Sequence, residues 1–531
     1  MKLSSVFVVL LAIAFTNLPG VCAETNNFDV VVYGATAAGV MAAVAAAHNG
    51  MRVALTEPGA HVGGMLAGGL SNSDVDNQKQ LIGGLARSFF TSAGSYYGQP
   101  VAWAFEPHVA EQILNNMLRT AGVNTFFHSR LRDVRKTGAQ LQSLRADNGQ
   151  QFSATIFIDS SYEGDLMKAA GVDYVIGREG RSQYGESLAG RQDFLPGHHQ
   201  FKFAVSANLT GTALLPWITP QEKVANVGEA DGKFQSYCFR LCLTNVPENR
   251  LPIQRPDRYD PAAYALARRY LESAKGTLSL NDFLGIIPIP NGKTDVNSTG
   301  PVSTDLLGAS WEYPEASDAR RQQIWDEHLH WAQGLIYFLQ NDPSVPESIA
   351  SEARRLGLPK DEFADTQHWP NQLYVREGRR MLGEYVLTQR DLTESREKYD
   401  SIGMAGYNID IREVQWVAHK VYMFPQVIDQ VFTEGYLSMP VEPWQIPLRA
   451  LLLRQQQCSN LLVTACVSAS TVAYASLRME ANYMIAGESA GVAAALAVKS
   501  KRQVHQLDIV LLQNSLRRDR QILSLDDVAT H

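Results

Sequence analysis

The residues most suited to chemistry are six small ones at 34–39, Gly-Ala-Thr-Ala-Ala-Gly. Gly34 permits a sharp turn, and Gly39 removes a Cβ where a following helix must lie close to a strand. Ala37 and Ala38 would start that helix, whose unpaired N–H groups and positive dipole end attract a pyrophosphate. The run therefore predicts a phosphate-binding turn at a helix N-terminus.

Thr36 and Glu57 complete the pattern. Thr36 stands where such turns usually carry their middle glycine, which weakens the match, although its hydroxyl could donate to a phosphate. Glu57 follows at the distance where a carboxylate accepts hydrogen bonds from ribose hydroxyls and disfavours a 2′-phosphate. Together these residues predict a dinucleotide ligand.

The neighbouring elements have the strand–helix–strand order that this motif requires. Residues 30–33 form an apolar run with three consecutive valines, which is typical of a strand buried on both faces. Small apolar residues at 40–47 suit a closely packed helix, and 51–57 predicts the second strand. An ordinary βαβ unit without a ligand is the alternative, and the coincidence of all these elements argues against it.

Further glycines extend the predicted cofactor site. Gly63 and Gly64, followed by Met65, come shortly after the acid. In flavoproteins with two dinucleotide-binding domains, a second glycine pair follows the acid where the chain passes the flavin pyrophosphate. By analogy, the pair favours FAD over NAD. Gly164 follows another buried-strand pattern at 154–159, and we expect it near the cofactor.

A long predicted helix at 479–499 carries Gly487 and Gly491. Small residues at four-residue spacing let a helix approach a flat ring or another backbone closely. We therefore predict that these glycines contact the cofactor, with plain helix–sheet packing as the alternative.

Length and charge bound the function. A chain of 531 residues with 45% hydrophobic content predicts two or more domains with large cores. A net charge of −7 without a long basic run makes nucleic-acid binding unlikely on physical grounds. We divide the chain into a signal peptide at 1–23, a first cofactor-domain part at 24–175, an inserted substrate domain at 176–425 and a second cofactor-domain part at 426–531.

The N-terminus has the pattern of an export signal. A basic Lys2, an apolar core at 6–15 and small residues around Ala23 predict cleavage after Ala23. A lipid anchor on Cys22 is the rival interpretation, disfavoured by the bulky Val21 before it. Since no other stretch reaches transmembrane length, we expect a periplasmic or secreted protein without an integral membrane segment.

Cys238 and Cys242 lie in an alternating, strand-like sequence. Residues four apart on a strand are about 13 Å apart, too far for a disulfide. Buried free thiols are the better interpretation. No cysteine and histidine spacing resembles a zinc site, so no metal is expected.

Blocks along nearly the whole chain resemble one family, the FAD-dependent oxidoreductases whose exported members are often labelled xanthan lyases. The resemblance implies FAD as the cofactor and an α/β fold, with a Rossmann-like FAD-binding domain of the glutathione reductase type and an inserted α+β substrate domain. The blocks are GATAAGVMAA (34–43), HVGGMLAGGLSNSD (61–74), IGGLARSFF (82–90), FEPHVAE (105–111), DSSYEGDLMKAAGVDYVIGRE (159–179), YGESLAG (184–190), KTDVNS (293–298), LYVREGRRMLGEY (373–385), QIPLRALL (445–452) and CVSASTVAYASLRME (466–480).

Three residues are candidates for the chemistry beside a flavin. Arg478 directly precedes the glycine-bearing helix, where a cation could stabilise negative charge near flavin N1 and O2; a structural ion pair is the alternative. His108 is a candidate base, as is His61, which could instead contact the cofactor or attach it covalently. Tyr162 lies in the turn 162–165, which also carries two carboxylates; a solvated turn is the alternative.

A basic cluster in the predicted insert comprises Arg376, Arg379 and Arg380. If the segment is helical, Arg376 and Arg380 share a face and could bind a carboxylate or phosphate. An exposed helix whose arginines pair with Glu377 and Glu384 is the alternative.

The sequence favours an enzyme that oxidises a small organic substrate, with a carbohydrate derivative as one candidate. A redox-neutral lyase acting on saccharides and a flavin electron-transfer protein are the alternatives. The insert carries no second nucleotide fingerprint that would indicate NAD. Oxygen, a quinone or a redox protein therefore stay open as the electron acceptor.

Overall fold

The computed structural model describes residues 25–75, 78–197, 199–210, 213–423 and 426–529. The predicted signal peptide and Cys22 lie outside these ranges. The helices are α1 (Ala37–His48), α2 (Gly84–Tyr96), α3 (Pro107–Ala121), α4 (Asp165–Ala169), α5 (Arg181–Tyr184), α6 (Ala265–Ala274), α7 (Asp318–Asn341), α8 (Glu347–Ala353), α9 (Gln389–Thr393), α10 (Thr471–Leu477), α11 (Glu480–Ser500), α12 (Ile509–Arg518) and α13 (Leu525–Val528).

The strands are mostly short. They are β1 (Thr25–Tyr33), β2 (Val53–Thr56), β3 (Asn124–Phe126), β4 (Leu131–Thr137), β5 (Gln140–Ala146), β6 (Gln151–Asp159), β7 (Tyr174–Val175), β8 (Asn208–Thr210), β9 (Ala213–Leu214), β10 (Ile218–Pro220), β11 (Leu241–Thr244), β12 (Arg250–Leu251), β13 (Leu284–Ile289), β14 (Lys293–Ser298), β15 (Leu358–Pro359), β16 (Arg380–Met381), β17 (Ser401–Ala405), β18 (Ile409–Ile411), β19 (Gln415–Met423), β20 (Gln426–Glu434), β21 (Leu437–Met439), β22 (Trp444–Pro447) and β23 (Leu461–Val463).

One sheet organises the two ends of the chain. Its strands stand in the order β3-β2-β1-β6-β5-β4, and β23 also pairs with β6. The pairs β1–β2, β1–β6, β2–β3 and β6–β23 are parallel, whereas β4 and β5 form an antiparallel extension. Residues 461–463 thus return to the sheet that holds β1.

Helices α1 and α11 pack against each other over one face of this sheet, and glycines allow the contact. A Cβ on Gly487 would lie 2.1 Å from the carbonyl oxygen of Ala38, and one on Gly491 would lie 2.3 Å from that of Ala42. Such distances exclude any side chain without moving a helix. The two glycines therefore serve helix–helix packing.

The middle of the chain combines small sheets with helices. Strands β11, β14 and β13 form one antiparallel sheet, and β10, β19 and β20 form another. The paired strands β19 and β20 stand on either side of residue 425 in the sequence, where we drew a domain boundary. The boundaries themselves stay a prediction. The sheet of β1 and this mixed region together confirm the α/β class.

The basic cluster is not helical, so the predicted shared helix face is wrong. All three arginines are buried, and the prediction of an exposed charged helix is also wrong. Each guanidinium is neutralised by carboxylates distant in sequence, except for one local pair. The pairs are Arg376 with Asp305, Arg379 with Asp165 and Glu315, and Arg380 with Glu179 and Glu377.

The cysteines agree with the sequence prediction. Cys238, Cys242, Cys458 and Cys466 are free and buried. Within the described ranges, no helix combines the length and the apolar character needed to cross a bilayer.

Glu488 is a buried carboxyl on α11. Its Oε2 accepts hydrogen bonds from the backbone N–H of Leu85, at the start of α2, and from the side chain of Gln521, each at 2.9 Å. Burial raises the pKa of Glu488 to about 8. The folded protein therefore holds this proton more tightly than the unfolded chain does.

Stability should consequently fall as pH rises from 4.5 towards about 8. Glu488→Gln keeps an acceptor for both donors and removes the ionisation. We expect the variant to be more stable than the wild type near pH 9 by at least about 1 kcal/mol, and nearly equal to it near pH 5. Urea unfolding at both pH values measures this, and equal differences at the two values would contradict it.

Candidate functional site

The turn after β1 has the predicted conformation. Gly34 has φ +92°, and a Cβ there would lie 2.8 Å from the backbone nitrogen of Ser161. Thr36 caps α1: its hydroxyl accepts from the N–H of Gly39 at 3.2 Å and donates to the carbonyl of Ser160 at 2.8 Å. Because this hydroxyl already makes two hydrogen bonds, a phosphate at the turn would bind to backbone N–H groups and not to the Thr36 side chain.

Glu57 stands at the end of β2 and shapes the same turn. Its Oε2 accepts from the N–H of Ala35 and its Oε1 from the N–H of Gly59, both at 2.7 Å. Burial raises its pKa to about 7. The carboxyl thus couples the turn to the segment after β2 and faces the cleft described below.

The second glycine pair approaches Tyr162. Gly63 has φ +99° and donates its N–H to the carbonyl of Ala35 at 2.7 Å. A Cβ on Gly64 would lie 2.5 Å from the hydroxyl of Tyr162. That hydroxyl accepts from the N–H of Met65 at 3.0 Å. The two glycines therefore bring the turn at 34–39, the turn at 63–65 and Tyr162 together in one wall, which we call the first wall.

This wall borders a cleft with a volume of about 490 Å³, within the usual range for small-molecule sites. The opposite wall comes from the middle of the chain. The lining residues are Tyr33, Gly34, Thr36, Glu57, Pro58, Gly59, Ala60, His61, Gly64, Arg130, Ser161, Tyr162, Glu163, Asp165, Tyr313, Asp318, Arg321, Gln322, Trp325, Leu329, Asp365, Thr366, Trp369, Pro370, Asn371 and Gln372.

Sequence reasoning missed the opposite wall. Arg321, Gln322, Trp325 and Leu329 lie on one face of α7, at helical spacing. The segment 365–372 adds a second aromatic ring and two amides. The spacing on α7 was visible in the sequence, but nothing local indicated that this face meets the first turn.

Six of the predicted site residues line the cleft: Gly34, Thr36, Glu57, His61, Gly64 and Tyr162. A second group lies directly behind this wall or at the start of α1: Ala37, Ala38, Gly39, Gly63 and Met65. A third group lies elsewhere in the structure: Gly164, Gly487, Gly491, His108 and Arg478.

Gly164 supports the wall from outside the cleft. It has φ +67° and caps α4. Its N–H donates to the hydroxyl of Ser161 at 3.1 Å, and a Cβ would lie 3.0 Å from Cys466 Sγ. It therefore shapes the turn that carries Tyr162.

The two carboxylates of that turn are paired, so the turn is not simply solvated. Asp165 accepts two hydrogen bonds from Arg321, at 2.6 and 2.9 Å, and one from Arg379 at 2.8 Å. Glu163 accepts from the hydroxyl of Tyr313 at 3.2 Å. These contacts connect the turn to Tyr313 and Arg321, which belong to the part of the lining that comes from the middle of the chain.

His108 lies in an ion network away from the cleft. Its Nδ1 is 2.7 Å from Glu362 Oε1. Glu106, His108 and Glu362 have a spacing that could suit a metal, but the ammonium of Lys293 is 2.7 Å from Glu106 and 2.6 Å from Glu362. A cation therefore already neutralises this group, which favours a structural role for His108. Its role as a base stays a prediction.

Arg478 forms the ion pair that we named as its alternative. Its guanidinium donates to Asp410 Oδ2 at 3.1 Å and to the hydroxyl of Tyr374 at 3.2 Å. Its Nε has no hydrogen-bond partner among the described residues. The role beside a flavin stays a prediction.

His61 lines the cleft with both ring nitrogens engaged. Nδ1 is 3.0 Å from Glu111 and Nε2 is 2.9 Å from Asp365. The hydrogen bond with Glu111 is the main cause of a raised pKa of His61. This histidine therefore joins the two walls of the cleft.

The cleft residues fit the predicted FAD. Gly34 lines the cleft and turns the chain at positive φ, α1 directs its N-terminus at the turn, and Glu57 presents a carboxyl. These are the groups that bind a pyrophosphate and a ribose. The turn residues would hold the phosphates, and Glu57 would hold the ribose.

Glu57→Ala should weaken FAD binding, because the ribose loses its acceptor and two backbone N–H groups lose theirs. Charged hydrogen bonds of this kind contribute about 1.5–3 kcal/mol, so we expect a dissociation constant roughly 10-fold to 100-fold higher. Titration of the apoprotein with FAD, followed by flavin fluorescence, measures this. Glu222→Ala, at an exposed position outside the cleft, is the control, and equal affinities of the two variants would contradict the assignment.

Comparisons with known proteins cover most of the chain. The family model described as FAD dependent oxidoreductase matches residues 29–516. A search of curated proteins found no match. Among solved structures, a flavoprotein/dehydrogenase from Cytophaga hutchinsonii is 18% identical, with 28% of this chain and 42% of that chain covered and a TM-score of 0.22. A geranylgeranyl bacteriochlorophyll reductase-like protein from Thermoplasma acidophilum is 11% identical, with 95% and 87% covered and a TM-score of 0.35. The chain thus spans less than half of the first of these two structures.

Proposed function

The chain belongs to the FAD-dependent oxidoreductase family, and from this premise we propose that it is an exported enzyme that oxidises a carbohydrate derivative or similar small molecule in the cleft. FAD is its cofactor and its fold is Rossmann-like. The observation that carries the proposal is the meeting of the cofactor turns with the aromatic and amide wall of the middle region.

FAD, when bound, would supply the acceptor for a hydride, which is two electrons and one proton. The protein supplies position and the exclusion of water. Trp325 and Trp369 contribute large aromatic side chains to the lining of the cleft that Gly34 and Gly64 also line. A substrate held against these rings would be shielded from solvent at the cofactor.

The polar groups of the same wall favour a polyhydroxylated substrate. Gln322, Asn371 and Gln372 line the cleft, and each amide both donates and accepts hydrogen bonds. Hydroxyl groups need such paired donors and acceptors, and sugar rings also present apolar faces to aromatic rings. This combination is the support for a carbohydrate derivative.

Anaerobic bleaching of the bound flavin tests the function. Sugars, polyols, amines and hydroxy acids are added in turn, and absorbance at the flavin bands is recorded. We expect bleaching by sugars or polyols. Product formation without bleaching would instead indicate a redox-neutral lyase, and bleaching only by a reduced protein would indicate an electron-transfer protein; each result would overturn the proposal.

A matched pair of tryptophan variants sharpens this test. Trp369→Ala removes a ring from the cleft wall, whereas Trp217→Ala removes one that is 44% exposed and outside the cleft. We expect Trp369→Ala to raise the substrate concentration for half-maximal bleaching about 10-fold or more and Trp217→Ala to leave it unchanged. Equal behaviour of the two variants would contradict binding at this wall.

Export is tested on the native protein. The signal at 1–23 predicts a mature chain that begins at Glu24. Fractionation of the producing cells and the intact mass of the exported protein measure both points. A lipid-modified mass that disappears in Cys22→Ser would support the anchored alternative, and an uncleaved cytoplasmic protein would contradict export.

A further inference from the structure

The hydroxyl of Tyr162 connects the cleft to a buried carboxyl. Tyr162 lines the cleft, and its hydroxyl donates to Glu480 Oε1 at 2.7 Å. The same oxygen accepts from the N–H of Met65 at 3.0 Å. Two hydrogen bonds therefore fix a proton-bearing group between the cleft and the interior.

Glu480 uses only one of its two carboxyl oxygens to hold Tyr162. It is the first residue of α11 and is 4% exposed. Its Oε2 has no hydrogen-bond partner among the described residues. Burying a polar atom without a partner costs free energy, and a glutamine could hold Tyr162 equally well. The carboxyl can therefore gain or lose a proton without disturbing any hydrogen bond of its second oxygen.

The groups that face this pair do not compete for that proton. Tyr483 is 6.2 Å from Tyr162 between ring centroids, and its hydroxyl is 2.6 Å from that of Tyr474. Cys466 and Tyr374 are further titratable groups nearby, and the guanidinium of Arg478 donates to the hydroxyl of Tyr374. Burial raises the pKa values of Tyr162, Tyr483, Tyr474 and Cys466 above their ordinary ranges.

Burial also raises the pKa of Glu480, to about 8, while its hydrogen bond with Tyr162 lowers it. No charge from Lys, Arg, Asp or another Glu contributes to this shift. The carboxyl therefore changes its protonation state close to neutral pH, where an acceptor of substrate protons must work.

We propose that Glu480 is the proton acceptor of the cleft and that Tyr162 relays the proton to it from the bound substrate. This inference rests on the proposed function. Oxidation of a substrate C–H and O–H pair removes two electrons and two protons. The two electrons leave with one proton as a hydride, which the FAD of the family's reaction would accept. The remaining hydroxyl proton bonds to the oxygen of Tyr162, while the proton of Tyr162 passes to Glu480 Oε1. Tyr162 stays neutral, and the carboxylate becomes a carboxylic acid.

The relay has a defined pH dependence. Glu480 accepts a proton only in its ionised form, whose fraction grows as pH rises through about 8. The rate of anaerobic flavin bleaching should therefore rise with pH over this range. Glu480→Gln keeps an acceptor for Tyr162 but cannot take a proton. We expect it to bleach about 100-fold more slowly, with no pH dependence near 8 and an unchanged flavin content.

Glu488→Gln is the matched control. Glu488 is a buried carboxyl on the same helix and its pKa is also about 8, but it contacts Leu85 and Gln521. We expect this variant to keep the wild-type rate and pH profile. Tyr162→Phe breaks the relay and leaves Glu480 in place, so it should lose the pH dependence as Glu480→Gln does.

A second measurement does not depend on the substrate. Infrared titration of the cofactor-free protein should show buried carboxylic acids that ionise near pH 8; Glu480→Gln removes one of them and Tyr162→Phe shifts its midpoint upward. Absence of the Glu480 band, or a wild-type pH profile of bleaching in Glu480→Gln, overturns the relay. If no compound bleaches the wild type while the band is present, the proposed function fails and the proton site remains.

Discussion

Replacing Gly39 with alanine is expected to abolish FAD retention. A Cβ at this position would lie 1.9 Å from the carbonyl oxygen of Gly34, within the cofactor turn itself. The obstacle is backbone, so no side-chain rotation can relieve it, and α1 must move away from β1. Overpacking of this kind costs about 1–3 kcal/mol or more, and the displaced helix no longer directs its N–H groups at the phosphates.

The ratio of flavin to protein absorbance after purification measures this loss, and a thermal melt shows whether the variant still folds. We expect less than about one tenth of the wild-type flavin content, since a shift of 1.4 kcal/mol is already tenfold. Gly232→Ala is the control: a Cβ there meets nothing within 4 Å. Full flavin content in Gly39→Ala would contradict the role assigned to the turn.

The first βαβ unit was predictable because its rules are local. Residues 30–33 are buried on both faces, as three consecutive valines indicate. The turn needs Gly34 at positive φ, and α1 needs small residues. Each of these requirements concerns residues that are close in the sequence. The roles of Gly34, Gly39 and Glu57 could therefore be predicted from the sequence pattern.

The partners of long-range contacts were not predictable in the same way. The sequence left two alternatives for Gly487 and Gly491, contact with the cofactor and helix–sheet packing. In the structure both glycines contact the backbone of α1. Helical spacing suggested one face for Arg376 and Arg380, but burial against distant carboxylates overrides local propensity. Contacts between residues hundreds of positions apart leave no local signal.

The sequence pointed to Tyr162 but not to its hydrogen-bond partner. Its place in a turn after a buried strand indicated a position near the cofactor, and the structure places it on the cleft wall. Its partner Glu480 begins a helix that the sequence marked only for its glycines. The functional pair combines one residue with a local signal and one without.

Loss of the Asp165 carboxylate is expected to be the most destabilising change among the cleft residues. Asp165 binds Arg321 and Arg379, which are both largely buried. Removing Asp165 takes away the ion-pair partner of Arg321, whereas Arg379 keeps Glu315. Breaking a largely buried pair in this way costs about 3–5 kcal/mol. We expect Asp165→Ala to lose this much in urea unfolding. Asp133→Ala breaks exposed pairs with Arg145 and Arg132 and should change stability by less than about 1 kcal/mol.

The pH dependence of Asp165 gives an independent check on the same contact. Burial raises the pKa of Asp165, but the hydrogen bonds and charges of Arg321 and Arg379 outweigh burial and lower it below 3.8. A carboxyl with a depressed pKa stabilises the fold above its unfolded value, and this stability disappears as pH falls through the folded value. The wild type should therefore lose stability below about pH 4 more steeply than Asp165→Ala does. Parallel acid-unfolding curves would mean that the two walls of the cleft are held together by other contacts, such as the bridge of His61 to Asp365.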